Sequence, residues 1–211
     1  ALDLSRVVGL EWSKAIHWAV AVELMHNASL VHDDICDDDQ FRRDRTSVMA
    51  NFGTPLAVCF GDWLVARSFE SALVAVGSGA GIPAISLLAS VMRKLSEGEA
   101  AEFLGTPALD WKPKEKIVLQ KTVPLILAPI EGPLVLSGRD EALSAVRQAM
   151  QTLGVAYQIS NDMLDVMNKD GRTAAFNDLR KGAPNAVSVC FRDLLSPDER
   201  IDFDHWMSGL S

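Results

Sequence analysis

Apolar residues recur along this chain at helical spacing. Trp12, Ile16, Val20 and Leu24 return every fourth residue, with Ala15, Ala19 and Val22 widening the stripe, a pattern that predicts a helix burying one broad face. That helix runs into an acidic cluster at Asp33. Further apolar-rich stretches cover roughly residues 56–76, 83–103, 114–127 and 141–166, and none shows the period-2 alternation of a half-buried strand. The breaks agree with this division. Gly77-Ser78-Gly79-Ala80-Gly81 ends one stretch and Pro83 suits the first turn of the next, while Gly105, Pro107 and Pro113 bound another loop. Pro124 and Pro129 should kink or end the helix that carries Lys121, because each lacks a backbone donor and crowds the preceding turn. The expected fold is all-α, a helical bundle forming one domain over residues 1–211.

Composition narrows the function. With 211 residues, 48% of them hydrophobic, the chain can bury one sizeable core. Its net charge of −8 leaves no basic face to neutralise a nucleic-acid backbone. The glycine run at 77–81 has no strand before it and is a linker, not a nucleotide loop. Cys36, Cys59 and Cys190 are far apart and odd in number, which suggests no disulfide framework and fits a reducing cytoplasm. Neither a leader peptide nor a membrane-spanning helix is expected, since the longest apolar run, 82–92, is interrupted by Pro83 and Ser86.

Two acidic segments carry the chemistry. Residues 33–39 read Asp-Asp-Ile-Cys-Asp-Asp-Asp, and a continuing helix would stack Asp33 and Asp37 one turn apart. Like charges at that spacing repel unless water or a cation separates them. Magnesium suits the pair, because it takes one or two carboxylates and fills its other positions with water and phosphate oxygens. Arg42, Arg43 and Arg45 follow closely, and guanidinium forks match phosphate oxygens. In the second segment, Asn161 and Asp165 share a helix face with Gln158 one turn earlier and Asp162 alongside. Two such faces brought together would share cations and a diphosphate.

The block from Glu23 to Asp37, Glu-Leu-Met-His-Asn-Ala-Ser-Leu-Val-His-Asp-Asp-Ile-Cys-Asp, continuing to Arg42-Arg43, resembles the first aspartate-rich region of the trans-isoprenyl diphosphate synthases. Gly61-Asp62, Lys121-Thr122, Tyr157-Gln158, Asn161-Asp162-Met163-Leu164-Asp165 and Asp178-Leu179-Arg180-Lys181-Gly182 resemble later motifs of that family, so the likeness runs from about Glu23 to Pro184. The resemblance implies an isoprenoid synthase-type helical bundle with a central active-site cavity, assembled as a homodimer. It also implies two or three Mg2+ ions, held by Asp33 and Asp37 on one side and by Asn161, Asp162 and Asp165 on the other. Arg42 and Lys121, with Thr122 and Gln158, would hold an allylic diphosphate (geranyl, farnesyl or longer), and His26 and Arg43 would touch isopentenyl diphosphate. Asp33, Asp37, Lys121 and Asp162 are the expected catalytic residues. Met25, Ala28 and Ser29 would shape the chain-length pocket, small residues at 28 and 29 leaving room for a product of more than fifteen carbons.

The chain departs from the family pattern at several places. An upstream glycine-lysine-arginine motif is missing, residues 1–22 holding Arg6 as their one arginine and Lys14 as their one lysine. Asn161 stands where the second motif begins with aspartate, glycine-glutamine-x-x-aspartate reads Gly98-Glu99-Ala100-Ala101-Glu102, and two later lysines read Arg172 and Ala183. These changes leave three alternatives to a chain-elongating synthase: prenyl transfer to a glycolipid or peptide acceptor, a silent subunit, and a terpene cyclase, against which Asp165 and Lys169 count.

Overall fold

The computed structural model describes residues 1–43, 45–77, 81–104, 110–167 and 185–209. The Asp178–Gly182 segment, Lys169, Arg172 and Ala183 lie outside them, as do Gly105, Pro107 and the middle of the glycine run. A short α1 (Leu2–Val7) leads into the long α2 (Trp12–Cys36), followed by a two-residue hairpin of β1 (Phe41–Arg42) and β2 (Arg45–Thr46). Then come α3 (Val48–Phe52), α4 (Thr54–Val76), α5 (Ile82–Leu104), α6 (Trp111–Lys121), α7 (Val123–Leu136) and, after a single 3-10 turn, α8 (Leu143–Val166). Helices α9 (Ala186–Leu194) and α10 (Pro197–Ser208) complete the described chain.

Small residues let α2 and α4 lie close together. Ala57, Gly61, Ser68, Ala72 and Ala75, together with Leu64, form the buried face of α4 at steps of three and four. The Ser68 hydroxyl donates to the Ala21 carbonyl at 2.6 Å and that of Ser71 to the His17 carbonyl at 2.8 Å. These hydroxyl bonds satisfy polar groups that would otherwise be stranded between apolar helices. At the centre, the fully buried Trp18 packs with Met25, Leu88 and Ala128, and its indole N–H donates to the Ala128 carbonyl of α7 at 3.1 Å. Truncating a core tryptophan of this kind costs about 3–5 kcal/mol.

The structure corrects two sequence expectations. Trp12, Ile16 and Val20 are exposed, at 51%, 39% and 43%. The buried face of α2 is Ala15, Trp18, Ala21, Val22, Met25, Ala28 and Val31. A strict four-residue repeat overshoots a turn by about 40° per step, so it winds off any one face, whereas alternating steps of three and four keep to the face. The second correction concerns Pro129, which does not act on the helix that carries Lys121, because that helix has already ended, as Pro124 implies. The break falls at Thr122, where α6 and α7 meet at a bend of 44°. Pro124 starts α7 as a first-turn proline, while Pro129 and Pro133 sit inside α7 without ending it. No single described helix is long and apolar enough to cross a membrane.

Candidate active site

The C-terminal end of α2 delivers Asp33, Asp34 and Asp37. The Asp37 amide still donates to the Asp33 carbonyl at 2.8 Å, so helical geometry holds through this turn and keeps the two side chains one turn apart. The hairpin folds back over them. From β1, Arg42 donates through Nη2 to Asp33 Oδ2 at 3.0 Å and through Nε to Asp34 Oδ1 at 2.6 Å, one guanidinium spanning two carboxylates. Asp34 is buried, and that burial raises its carboxyl above the ordinary range despite Arg42. Arg43, next in the turn, takes a left-handed φ of 51°.

Across from Asp33, α6 ends on Lys121. Its Nζ stands 3.2 Å from Asp33 Oδ1, 2.8 Å from Glu99 Oε2 and 2.8 Å from Glu102 Oε2, the last two supplied by α5. Burial alone would lower the lysine pKa, but Asp33, Glu102 and Glu99 outweigh it and raise it far above the usual lysine range. Burial also raises the Glu99 carboxyl, with Lys121 opposing and Asp33 and Glu102 adding to the rise. Glu99 Oε1 is buried and has no hydrogen-bond partner. Although Cys36 is an exposed residue, partial desolvation of its thiol and then the charges of Glu99, Asp37 and Asp33 raise it. Glu99 and Glu102 were legible in the sequence only as a departure from a motif. Their pairing with Lys121 depends on α5 and α6 lying side by side.

Thr122 carries the contacts onward to the second acidic segment. Its hydroxyl donates to Gln158 Oε1 at 3.0 Å, the Gln158 amide donates to Asp162 Oδ1 at 2.7 Å, and the first amide of α9, at Ala186, donates to Asp162 Oδ2 at 2.7 Å. A continuous polar chain therefore runs from Asp33 through Lys121-Thr122 and Gln158 to Asp162, and it joins α2, α6, α8 and α9. Asp162 is only 2% exposed and both its oxygens are engaged by the protein. Asn161, beside it, is half-buried, and Asp165 is buried one turn on.

The remaining predicted positions fall around this chain. His26 is half-buried on α2, and its pKa is lowered by burial and by the nearby cations of Arg43 and Arg42, with Glu23 opposing. Met25 and Ala28 are enclosed in core clusters, Ala28 with Met49, Ala57 and Leu64, while Ser29 is half-buried. Gly61-Asp62 seats the residue before Asp33: a side chain on Gly61 would overlap the His32 ring, whose Nε2 lies 3.4 Å from Asp62 Oδ1.

Among the described residues, no three His, Cys, Asp or Glu side chains converge closely enough to hold a metal ion unaided. Magnesium needs no such cage, since it binds through one or two carboxylates and completes its octahedron with water and phosphate. The carboxylates of Asp33 and Asp37, one turn apart at the end of α2, would fit such an ion.

Known proteins share this architecture. The chain is 32% identical over 173 residues to a short chain isoprenyl diphosphate synthase of Methanothermobacter thermautotrophicus, covering 81% of this chain and 53% of that protein. It is 35% identical over 172 residues to a geranylgeranyl pyrophosphate synthase of Geoglobus acetivorans, covering 78% of this chain and again 53% of the relative. Thus the chain spans about half the length of these curated relatives. The crystal structure of geranylgeranyl pyrophosphate synthetase from Pyrococcus horikoshii superposes with a TM-score of 0.84 at 27% identity, over 97% of this chain and 64% of that one. The polyprenyl synthetase family model matches residues 1–207, and with the helical architecture and both acidic segments in place, the chain belongs to the polyprenyl synthetase family.

Proposed function

We propose that this protein transfers an allylic prenyl group from its diphosphate onto isopentenyl diphosphate, giving a longer prenyl diphosphate. The observation that carries this reading is the polar chain from Asp33 through Lys121-Thr122 and Gln158 to Asp162, because it links the two acidic segments through the Lys121 cation. Family membership and the names of the relatives support it.

In this reading Arg42 and Lys121 bind the allylic diphosphate and offset the charge that grows on it as the carbon–oxygen bond breaks. Asp33 and Asp37 on one side, and Asn161, Asp162 and Asp165 on the other, would hold two or three magnesium ions. Bound magnesium supplies electrophilic neutralisation of the leaving group. Asp162, with each oxygen already engaged, orients Gln158, which in turn orients Thr122. His26 and Arg43 face isopentenyl diphosphate. The small side chains of Ala28 and Ser29 support a product of twenty carbons or more. Exposed apolar residues on α2 and α4, among them Trp12, Val20, Leu56 and Trp63, support a homodimer, and three exposed free cysteines fit a reducing cytoplasm.

The test is incubation with Mg2+ and labelled farnesyl diphosphate, with and without isopentenyl diphosphate. A longer diphosphate formed only when both are present is the expected result. A hydrocarbon from farnesyl diphosphate alone would replace this reading with a cyclase, and no turnover would remove the synthase.

A further inference from the structure

Lys121 carries more counter-charge than one ammonium needs. Glu99, Glu102 and Asp33 all lie within salt-bridge distance of its Nζ, so its three N–H donors face three carboxylates. Arg42 joins the same cluster by bridging Asp33 and Asp34. In ionised form these groups are four carboxylates (Asp33, Asp34, Glu99, Glu102) against two cations (Arg42, Lys121), an excess of two negative charges. A diphosphate approaching that cluster is repelled, and it finds no N–H of Lys121 uncommitted. The arrangement is built in by the backbone. A Cβ on Gly98 would lie 2.8 Å from the Lys121 amide nitrogen, so only glycine lets α5 press this closely on α6 and place Glu99 on the lysine.

We propose that Glu99 is a positioning residue which cages Lys121 and thereby makes diphosphate binding conditional on a divalent cation. The inference rests on the reading of this site as a diphosphate site. A cation that takes the Asp33 carboxylate does two things at once: it cancels the excess negative charge and it frees the Lys121 donor that Asp33 held. Diphosphate then meets a released N–H in a neutralised site. Without the cation both obstacles stand. Glutamine at 99 would keep the shape and remove one of the two excess charges, so glutamate sets how strict the condition is. Because binding free energies are reciprocal, diphosphate must strengthen cation binding by the same factor.

Isothermal titration of inorganic diphosphate into wild type, E99Q and E99A, in metal-free buffer and at saturating Mg2+, tests this. Wild type should bind far more weakly in metal-free buffer than at saturating Mg2+, with a metal-free affinity still measurable at high diphosphate concentration. In both variants metal-free affinity for diphosphate should rise by about tenfold, as expected for one unit charge removed a few ångströms away in a partly screened site. Affinity at saturating Mg2+ should change less, so the ratio of the two contracts. E99A guards against a new hydrogen bond from the glutamine amide, and thermal melts of both variants confirm folding. Metal-free affinity that is unchanged, weaker or undetectable in both variants overturns the proposal. So does a loss confined to the Mg2+-saturated state, which would make Glu99 a cation ligand. Failure of wild type to bind diphosphate at saturating Mg2+ has a different signature and overturns the diphosphate reading itself.

Discussion

Gly98 and Lys121 meet backbone to backbone: a methyl group on Gly98 would stand 2.8 Å from the Lys121 amide nitrogen and 3.0 Å from the carbonyl carbon and Cβ of Gln120. The contact is with main chain, which cannot swing aside as a side-chain tip would. It sets the spacing of α5 and α6, and with it the place of the ammonium that faces Asp33.

The variant G98A should therefore lose stability, although alanine is the better helix former by about 1 kcal/mol. Forcing a methyl into packed backbone costs about 1–3 kcal/mol, so the clash wins. Thermal melting should show a lower Tm, and diphosphate binding should weaken further than the melt explains, because Lys121 moves with α6. An unchanged Tm would show that the helices can separate freely.

Arg42 and Asp34 should be energetically coupled. Removing the guanidinium in R42A leaves a buried carboxylate without its partner, at a cost of about 1–3 kcal/mol. The double variant R42A/D34N should be more stable than R42A, since the stranded charge is gone. R42K should fold but bind diphosphate poorly, because an ammonium cannot reproduce the fork that spans Asp33 and Asp34. Urea denaturation across the four-member cycle checks this, and strict additivity would contradict it.

His26 should make the protein sensitive to acid. Its folded pKa lies below the ordinary 6.5. Between these two values the unfolded chain binds more protons, so stability is full above the unfolded pKa and falls as pH drops towards the folded one. H26Q should remove that part of the decline. Tm measured from about pH 8 to about pH 5 for wild type and H26Q gives the difference, and parallel curves would show that His26 does not contribute.

In the proposed cation site Asn161 would offer magnesium a neutral oxygen where a carboxylate would bind more strongly. N161D should lower the Mg2+ concentration for half-maximal turnover by about three- to tenfold. The same shift should appear when Mn2+ binding is followed by electron paramagnetic resonance in the presence of diphosphate. A higher requirement in N161D would place residue 161 outside the cation site.

Much of the fold was legible before any coordinates. The helices at 54–76, 82–104 and 143–166 lie within a few residues of the stretches read from apolar spacing, and the proline after Lys121 marks a real break. The buried face of α2 was misjudged because that helix is apolar nearly all round: Trp12, Ile16 and Val20 look like core by themselves, yet Ala15, Ala21 and Ala28 permit the closer approach to α4. The hairpin at 41–46 is too short for any periodicity to declare it.

What the sequence determined by itself is local. Helical spacing, proline breaks and the order of acidic and basic residues are properties of consecutive positions, and they are sufficient for the all-α class and for the two acidic segments. Only the tertiary structure decided which charges meet. Glu99 and Glu102 reach Lys121, and Gln158 ties Thr122 to Asp162, because separate helices pack side by side and bring these groups within hydrogen-bond or salt-bridge distance. Coulomb and hydrogen-bond energies depend on separation in space, which local spacing along a chain does not specify.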